Sequence, residues 1–511
     1  MNNFVMGEKF IQQLISDLSN IEFFQKSNDL YKFKQSNDFK ILKQKSTKVV
    51  REFFLNEFRR WISEVTNMEL LSVVDLTSSK YSSSDVLLCH DDELDSRRIA
   101  FVWYLVDPSW SQSDGGELQL FNSDGNMEPT DVSLSLTPAY NKLVWFEVSE
   151  YSHHQVSEVL SERNCRLSVH GWLHSKPLPR VARFIEAPPA LYSHCEVQED
   201  LVREWISPQY LDAVVQAEVR LNFEKTSEIQ LPNFFIPVKY KLICEAFKRA
   251  DLPWYLKGPV NKRKIGEEDD VDAKNEELHL ISACLRLLRS EAFFLILSNM
   301  TGLRFHRFVP KSNENASDDD DYDETDDENI NNDISDEKYC ANAVEPPSSA
   351  SSSMACPENV PRKHKFECGD GMEYCEVETK KQKVHSSEGK EDDRVFESCN
   401  ELIDHGSCDA KCSFSVRKWG HGCYATANNH ILDNEALDAL IAFNCDDWNY
   451  EHGGFTTYIS KDEDEELLTI EPKENSLNLV YREKDTMNFV KYIDSRSTNN
   501  AFFDISLTYF E

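Results

Sequence analysis

Between Leu71 and His174 the chain repeatedly writes a short apolar run and then a turn: RRIAFVWYLV, GELQLF, KLVWFEV, HHQVSEVL and RLSVHGWLH. Runs this short, rich in β-branched and aromatic residues, read as strands. Parallel strands need a crossover of a dozen or more residues, usually a helix, and no such helical pattern separates these runs. The segment therefore predicts an antiparallel jelly-roll or barrel, a mainly β fold. Helical spacing appears on either side of it. Phe10, Leu14, Ile15 and Leu18 in EKFIQQLISDLSNIEFF, and Val50, Phe54, Phe58, Trp61, Ile62 and Val65 in KVVREFFLNEFRRWISEV, predict two helices ahead of the strands. The spacing returns between Leu201 and Ala250, and again in ELHLISACLRLLRSEAFFLILSNMTG, where Gly302 supplies a helix stop.

A chain of 511 residues exceeds what one core usually supports, and composition divides it. NENASDDDDYDETDDENINND opens a stretch too charged and too poor in apolar residues to offset its ordering entropy. Four regions result: N-terminal helices with a β domain at 1–185, a helical connection at 186–310, an acidic disordered linker at 311–409, and a second β domain at 410–511. The linker reads as a solvated spacer or as a landing site for a basic partner. Its PRKHK and KKQK clusters suit a nuclear import signal.

Lys and Arg number 55 against 90 Asp and Glu, a net charge of −35. That field repels phosphate backbones and lipid headgroups, which argues against nucleic acid or membrane as a direct ligand and for a basic partner. MNNFVMGEKF has no basic segment followed by an apolar one, and AFFLIL is far short of a membrane span, so an intracellular soluble protein is expected. The 14 cysteines follow no disulfide framework and are expected as thiols. CDAKC (Cys408, Cys412) would be half a zinc site, but no second pair at zinc spacing accompanies it.

The chemistry concentrates at LLCHDDELDSRRIAF. His90-x-Asp92 at the mouth of a strand would by itself be an acidic, solvated turn. It gains meaning from His153-His154 on a later strand and Arg166 opening another. Two imidazoles and a carboxylate can hold Fe(II) on one face of its octahedron and leave positions for a bidentate 2-oxo acid and dioxygen. Only one of His153 and His154 can face inward, because neighbours on a strand point opposite ways. The fork of Arg166 suits the far carboxylate of 2-oxoglutarate, and Tyr104 could add a hydroxyl donor or be a half-buried strand aromatic.

These strings, with NDLYKFKQSNDF, GGELQLF, NKLVWFEVS, HQVSEVL and RLSVHGW, resemble the ribosomal prolyl 3-hydroxylase family: 2-oxoglutarate and iron-dependent oxygenase domain-containing protein 1 and its yeast termination-and-polyadenylation relative. The likeness runs along nearly all the chain outside the acidic stretch. It implies a double-stranded β-helix core, Fe(II) held by His90, Asp92 and His154, and 2-oxoglutarate held by Arg166 with Tyr104. Through HQV it selects His154 over His153. It further implies L-ascorbate as a reductant and C3 hydroxylation of one proline in the small-subunit ribosomal protein at the decoding centre. A bearing on translational accuracy and termination follows, with termination factors as further partners and residence in nucleus and cytoplasm. The family usually has additional residues before the first helix, where MNNFVMGEKFI begins late.

The sequence also repeats. A slide of 338 positions lays Leu94 on Leu432, Asp95 on Asp433, Trp110 on Trp448 and Gly115-Gly116 on Gly453-Gly454. A slide of 334 lays Asn141 on Asn475, Leu143 on Leu477 and Val156 on Val490. The C-terminal part is therefore expected to be a second, degenerate β-helix domain. His90 falls on Asn428, Asp92 on His430, His154 on Asn488, and the Arg166 region on FFDISLTYF, which has no arginine; such a set should not hold iron. Two rival classes are an acidic scaffold for basic translation factors, which would not require His90, Asp92, His154 and Arg166 together, and a related oxygenase acting on nucleic acid or another protein.

Overall fold

The computed structural model describes residues 6–94, 96–249, 254–268, 276–308, 410–427, 434–461, 466–497 and 501–511. Helix α1 (Glu8–Ser19) leads into a hairpin of β1 (Phe23–Ser27) and β2 (Tyr31–Ser36). Then α2 (Lys45–Phe53) passes through a π-helical turn at Phe54–Phe58 into α3 (Arg59–Thr66). The first helix covers Phe10 to Leu18 and ends at Ser19, and Phe23 and Phe24 of the same stretch enter β1.

The strands that follow are β3 (Val74–Tyr81), β4 (Val86–His90), β5 (Arg97–Tyr104), β6 (Leu118–Ser123), β7 (Pro129–Leu136), β8 (Lys142–Glu147), β9 (His154–Val156) and β10 (Arg166–His174). With β1 and β2 they form one ten-stranded sheet in the order β7-β6-β9-β4-β2-β3-β10-β5-β8, β1 lying on β2, and its ladders are antiparallel. Alternation decides the faces. Ile99, Phe101 and Trp103 of β5 and Val169 and Leu173 of β10 turn outward under the helices, against Ile11, Leu14, Val50, Phe54, Phe58 and Ile62. Phe54 stacks on Phe101 at 4.3 Å and Phe58 meets it edge-on at 5.5 Å. The opposite face of the same strands becomes the interior where the chemistry collects.

The second half continues with β11 (Tyr192–Ser193), α4 (Glu199–Trp205), α5 (Ala213–Thr226), β12 (Glu228–Pro232), α6 (Pro237–Arg249), β13 (Tyr255–Lys257), β14 (Arg263–Glu268), α7 (Glu276–Leu288) and α8 (Glu291–Thr301). Gly302 ends α8 in the left-handed region (φ 80°), as the sequence indicated. Beyond the acidic block come β15 (Lys411–Trp419), β16 (Tyr424–Ala425), β17 (Ala436–Phe443), β18 (Thr456–Ser460), β19 (Glu466–Ile470), β20 (Ser476–Arg482), β21 (Thr486–Val490) and β22 (Phe502–Phe510). Their sheet runs β19-β18-β21-β16-β14-β15-β22-β17-β20-β12, with β13 on β14 and β11 on β15.

Strand for strand, this order repeats that of the first sheet, and the registers coincide. Leu118 opposes Val156 as Thr456 opposes Val490. Tyr81 opposes Arg166 as Trp419 opposes Phe502, and Tyr104 opposes Ser168 as Ala442 opposes Asp504. Local geometry repeats as well. Trp110 Nε1 donates to the Gly115 carbonyl at 3.1 Å and Trp448 Nε1 to Gly453 at 3.0 Å, while Asn141 and Asn475 both hold positive φ (54° and 46°).

The duplication begins earlier than the repeat read from sequence. Tyr31 opposes Leu87 as Arg263 opposes Ala425, so β2 corresponds to β14, 232 residues on, whereas β4 corresponds to β16, 338 residues on. The order α1-β1-β2-α2-α3-β3 recurs as α6-β13-β14-α7-α8-β15. The expected boundary at 410 is thereby corrected. The second domain starts ahead of the acidic block, which is inserted between α8 and β15 of that copy, and the region at 186–310 is a connection only as far as β12. Its identities were hidden because helices and a hairpin conserve packing patterns rather than the turn residues that betrayed the later half.

Candidate metal centre and anion pocket

Strand β4 delivers His90 as its last residue, and the chain then turns at Asp92 with φ 59°, a conformation that aspartate tolerates better than most residues. His154 begins β9 and lies opposite His90 across the ladder. The ligand atoms of His90, Asp92 and His154 all fall within 4.8 Å of one another, the one such grouping of three found among the described residues. His90 Nε2 is 3.5 Å from Asp92 Oδ1 and His154 Nε2 is 3.4 Å from Asp92 Oδ2.

Each imidazole is aimed by its other nitrogen. His90 Nδ1 donates to the Leu88 carbonyl and His154 Nδ1 to the Ser152 carbonyl, both at 2.8 Å, leaving the two Nε2 lone pairs to face a shared point. Trp172 Nε1 donates to Asp92 Oδ2 at 3.0 Å, and Arg97, 3.5 Å from Asp92 Oδ1, sits over the Trp172 ring with its Cζ 3.6 Å from the ring centre. Burial works to raise the Asp92 pKa, but the adjoining imidazoles of His154 and His90 outweigh it and hold the carboxyl well below its usual range. A deprotonated carboxylate between two imidazoles on one face is the donor set that Fe(II) takes in a 2-His-1-carboxylate site. These residues fit the metal.

His153 faces the other way. It is buried, burial pushes its pKa down, and its backbone carbonyl accepts from Phe121 N. The structure thus brings His154, not His153, to the cluster.

Deeper in the same barrel lies Arg166, only 1% exposed. Its Nε donates to the Gly116 carbonyl at 2.8 Å and its Nη1 reaches Ser168 Oγ at 3.4 Å, while Nη2 has no partner. The guanidinium sits 5.1 Å from the centre of the Tyr81 ring and 5.0 Å from that of Tyr104. The Tyr104 hydroxyl is likewise buried without a hydrogen-bond partner. Burial raises its pKa, partly offset by Arg166, so it is a donor at neutral pH. A buried cation with an idle N–H beside an idle hydroxyl is costly unless an anion completes it, and a carboxylate has the matching fork. Gly116 makes the room. A Cβ there would come within 2.8 Å of Arg166 Cδ, and φ is +69°.

The interior face of β10 carries further residues that motif reading passed over. Ser168, His170 and Trp172 follow Arg166 at every second position and point the same way. His170 Nε2 lies 3.1 Å from Thr77 Oγ1 and 3.4 Å from Gln35 Nε2, and burial holds its pKa down at about 4, so it is neutral. Counting by two from Arg166 would have found all three.

In the second copy the equivalent positions are filled differently. Phe502 stands for Arg166, Ala442 for Tyr104, and Asn488, which donates to Asp438 Oδ2 at 3.2 Å, for His154. Asn428 and His430 lie outside the described residues, as do Asp95, Leu432 and Asp433 of the repeat, Cys408, and the PRKHK and KKQK clusters. Cys412 is a buried thiol pushed up to about 11 by that burial. No helix among the described residues is long and apolar enough to cross a membrane.

Comparison with known proteins agrees with this division. Residues 76–174 match the 2OG-Fe(II) oxygenase superfamily, and residues 198–317 and 323–510 match the oxoglutarate and iron-dependent oxygenase degradation C-terminal family. The chain is 39% identical to prolyl 3-hydroxylase OGFOD1 of Xenopus laevis over 99% of its own length and 86% of that protein's. It is 37% identical to prolyl 3-hydroxylase OGFOD1 of Mus musculus over 100% and 88%. Among solved structures, a Pseudomonas putida prolyl-4-hydroxylase aligns at 19% identity with a TM-score of 0.29, covering 34% of this chain and 91% of the other.

Proposed function

The chain belongs to the prolyl 3-hydroxylase OGFOD1 family of 2-oxoglutarate- and Fe(II)-dependent oxygenases, and from that premise we propose that it hydroxylates C3 of a proline in a small-subunit ribosomal protein. The reaction converts 2-oxoglutarate, dioxygen and a C–H bond into succinate, carbon dioxide and an alcohol. The single observation that carries the reading is the coincidence, in one barrel, of the His90–Asp92–His154 cluster with the unsatisfied Arg166 Nη2 and Tyr104 hydroxyl.

His90 Nε2, an Asp92 oxygen and His154 Nε2 would hold the metal, which supplies the redox chemistry that couples decarboxylation to hydroxylation. The chain's own residues do the rest. Arg166 and Tyr104 would take the far carboxylate of 2-oxoglutarate and fix its depth in the barrel, so that its keto acid end reaches the histidines. Trp172 and Arg97 hold the Asp92 carboxylate from behind, and the neutral His170 keeps a second cation away from Arg166. The aromatic walls, Tyr81, Tyr104 and Phe146, exclude water from the reacting end.

A basic polypeptide is the substrate class favoured by a net charge of −35, since complementary fields speed encounter and suppress wrong partners. Ribosomal proteins are such polypeptides, and family membership narrows the target to proline. Residence in nucleus and cytoplasm, a role in translational accuracy and termination, contact with termination factors, and L-ascorbate as reductant belong to the same proposal. The test is mass spectrometry of a peptide around the decoding-centre proline, incubated with protein, Fe(II), 2-oxoglutarate and air. One added oxygen that disappears in His90→Ala is expected. Consumption of 2-oxoglutarate with neither peptide nor intact ribosomal protein modified would refute the substrate.

A further inference from the structure

The loop between β9 and β10 carries a buried carboxylate that the chemistry above does not use. Glu158, 6% exposed, reaches out of the first domain and is held by the second. His421 Nε2 lies 2.8 Å from Glu158 Oε2, Tyr492 Oη donates to the same oxygen at 3.2 Å, and Ser495 N donates to both oxygens at 2.8 and 3.1 Å. His421 lies between β15 and β16, and Tyr492 and Ser495 lie between β21 and β22 of the second sheet.

The backbone of the same residue leads back to the anion pocket. Gly116 N donates to the Glu158 carbonyl at 3.0 Å, and the Gly116 carbonyl is the acceptor that fixes Arg166 Nε at 2.8 Å. The next residue, Val159, is tied on both sides, its N–H donating to the Asp85 carbonyl at 3.0 Å and its carbonyl accepting from Ser84 N at 2.8 Å. There is no slack between these segments. A Cβ on Gly115 would lie 2.2 Å from the Glu158 carbonyl oxygen, and one on Gly116 would lie 3.1 Å from Val159 Cγ2. A shift of Glu158 therefore moves the Gly115-Gly116 turn, and with it the carbonyl that orients the guanidinium.

We infer that Glu158 is a positioning residue through which the second domain sets the orientation of Arg166 and hence the affinity for 2-oxoglutarate. The inference rests on the reading of Arg166 as the 2-oxoglutarate ligand. It gives the degenerate copy a task that needs no metal of its own: its groups at 421, 492 and 495 act as the outer wall of the cosubstrate pocket.

The test is equilibrium dialysis of radiolabelled 2-oxoglutarate against the full chain loaded with Mn(II) under argon, for wild type, Glu158→Ala, His421→Ala and Arg166→Ala. Glu158→Ala and His421→Ala should each weaken 2-oxoglutarate binding about three- to tenfold, and the double variant should weaken it less than their product. In the Fe(II) enzyme the KM for 2-oxoglutarate should rise by the same factor with kcat unchanged, and Glu158→Gln, which keeps the acceptor for Ser495 and Tyr492, should recover part of the loss. Wild-type affinity in both variants, with Arg166→Ala impaired, overturns the inference alone. Wild-type affinity in Arg166→Ala overturns the reading beneath it. A fall in kcat with affinity intact would mark Glu158 as merely structural and also overturn it. Should Glu158→Ala fail to fold, His421→Ala, at a partly exposed side chain, decides the matter.

Discussion

Glu158 and Tyr492 occupy the same place in the two copies of the fold, 334 residues apart, and they are hydrogen-bonded to each other at 3.2 Å. Val86 and its counterpart Tyr424 likewise share a small apolar cluster. Contact between equivalent positions is what a two-fold-related pair of subunits shows at its axis. The two domains therefore meet as the halves of a dimer would, with an insertion of acidic sequence in one of them.

Replacing His90, Asp92 or His154 by Ala should abolish metal-dependent 2-oxoglutarate turnover while the protein still folds, since the metal site is not part of either apolar core. His153→Ala should keep turnover. Far-UV circular dichroism and succinate release check this, and an active His154→Ala with an inactive His153→Ala would reverse the assignment.

Trp172→Phe removes the indole N–H from Asp92 but keeps the ring under Arg97. Metal affinity should fall by about 10- to 100-fold, as for loss of other groups that orient a ligand. Competition between the protein and a fluorescent chelator for Mn(II) measures it, and an unchanged affinity would show that Asp92 is held by the imidazoles alone.

At Arg166 charge is not enough. Arg166→Lys should raise the 2-oxoglutarate KM by at least about tenfold and Arg166→Ala by about 100-fold or more, because a lysine cannot fork to a carboxylate and also reach the Gly116 carbonyl. Gly116→Ala should resemble Arg166→Ala, since its Cβ would push on Arg166 Cδ. Steady-state kinetics at varied 2-oxoglutarate separates these from loss of kcat.

Stability should depend on Glu158 in acid. Burial pulls its pKa up, but hydrogen bonds from His421 and Ser495 win and lower it below the ordinary carboxylate value. A group whose folded pKa is depressed adds stability above its unfolded value, about 4.3, and loses it as pH falls through the folded value. Wild type should therefore lose melting temperature more steeply than Glu158→Gln below about pH 4.3. Parallel slopes in thermal melts would disprove the linkage.

Removing a buried ring tests the frame that carries the site. Phe101→Ala should cost about 3–5 kcal/mol, because the ring fills the space between Phe54 and Phe58 and no neighbour can collapse into it. Urea unfolding measures the loss, and a cost under about 1 kcal/mol would mean that the helices repack.

What the sequence determined by itself was the local and the chemical. Alternating apolar runs without crossover helices forced antiparallel strands, and the spacing of Phe10 to Leu18 and Val50 to Val65 placed helices, because each depends on neighbours in the chain; His90-x-Asp92, His154 and Arg166 suggested the chemistry as a set, together with the family resemblance of the strings that hold them. The role of Trp172 and Arg97 behind Asp92 and the unsatisfied Arg166 Nη2 were decided only by tertiary structure, and the choice of His154 over His153, which the sequence made only through its resemblance to a family, acquired its physical reason there. They turn on which strand faces bring distant residues within about 3 Å, a matter of register that a linear pattern leaves open. The same holds for the extent of the duplication. Its later half was visible through glycines at positive φ and a tryptophan whose indole bonds the turn carbonyl, whereas α6 to α8 and the β13–β14 hairpin keep only their packing, which shape can preserve without identity.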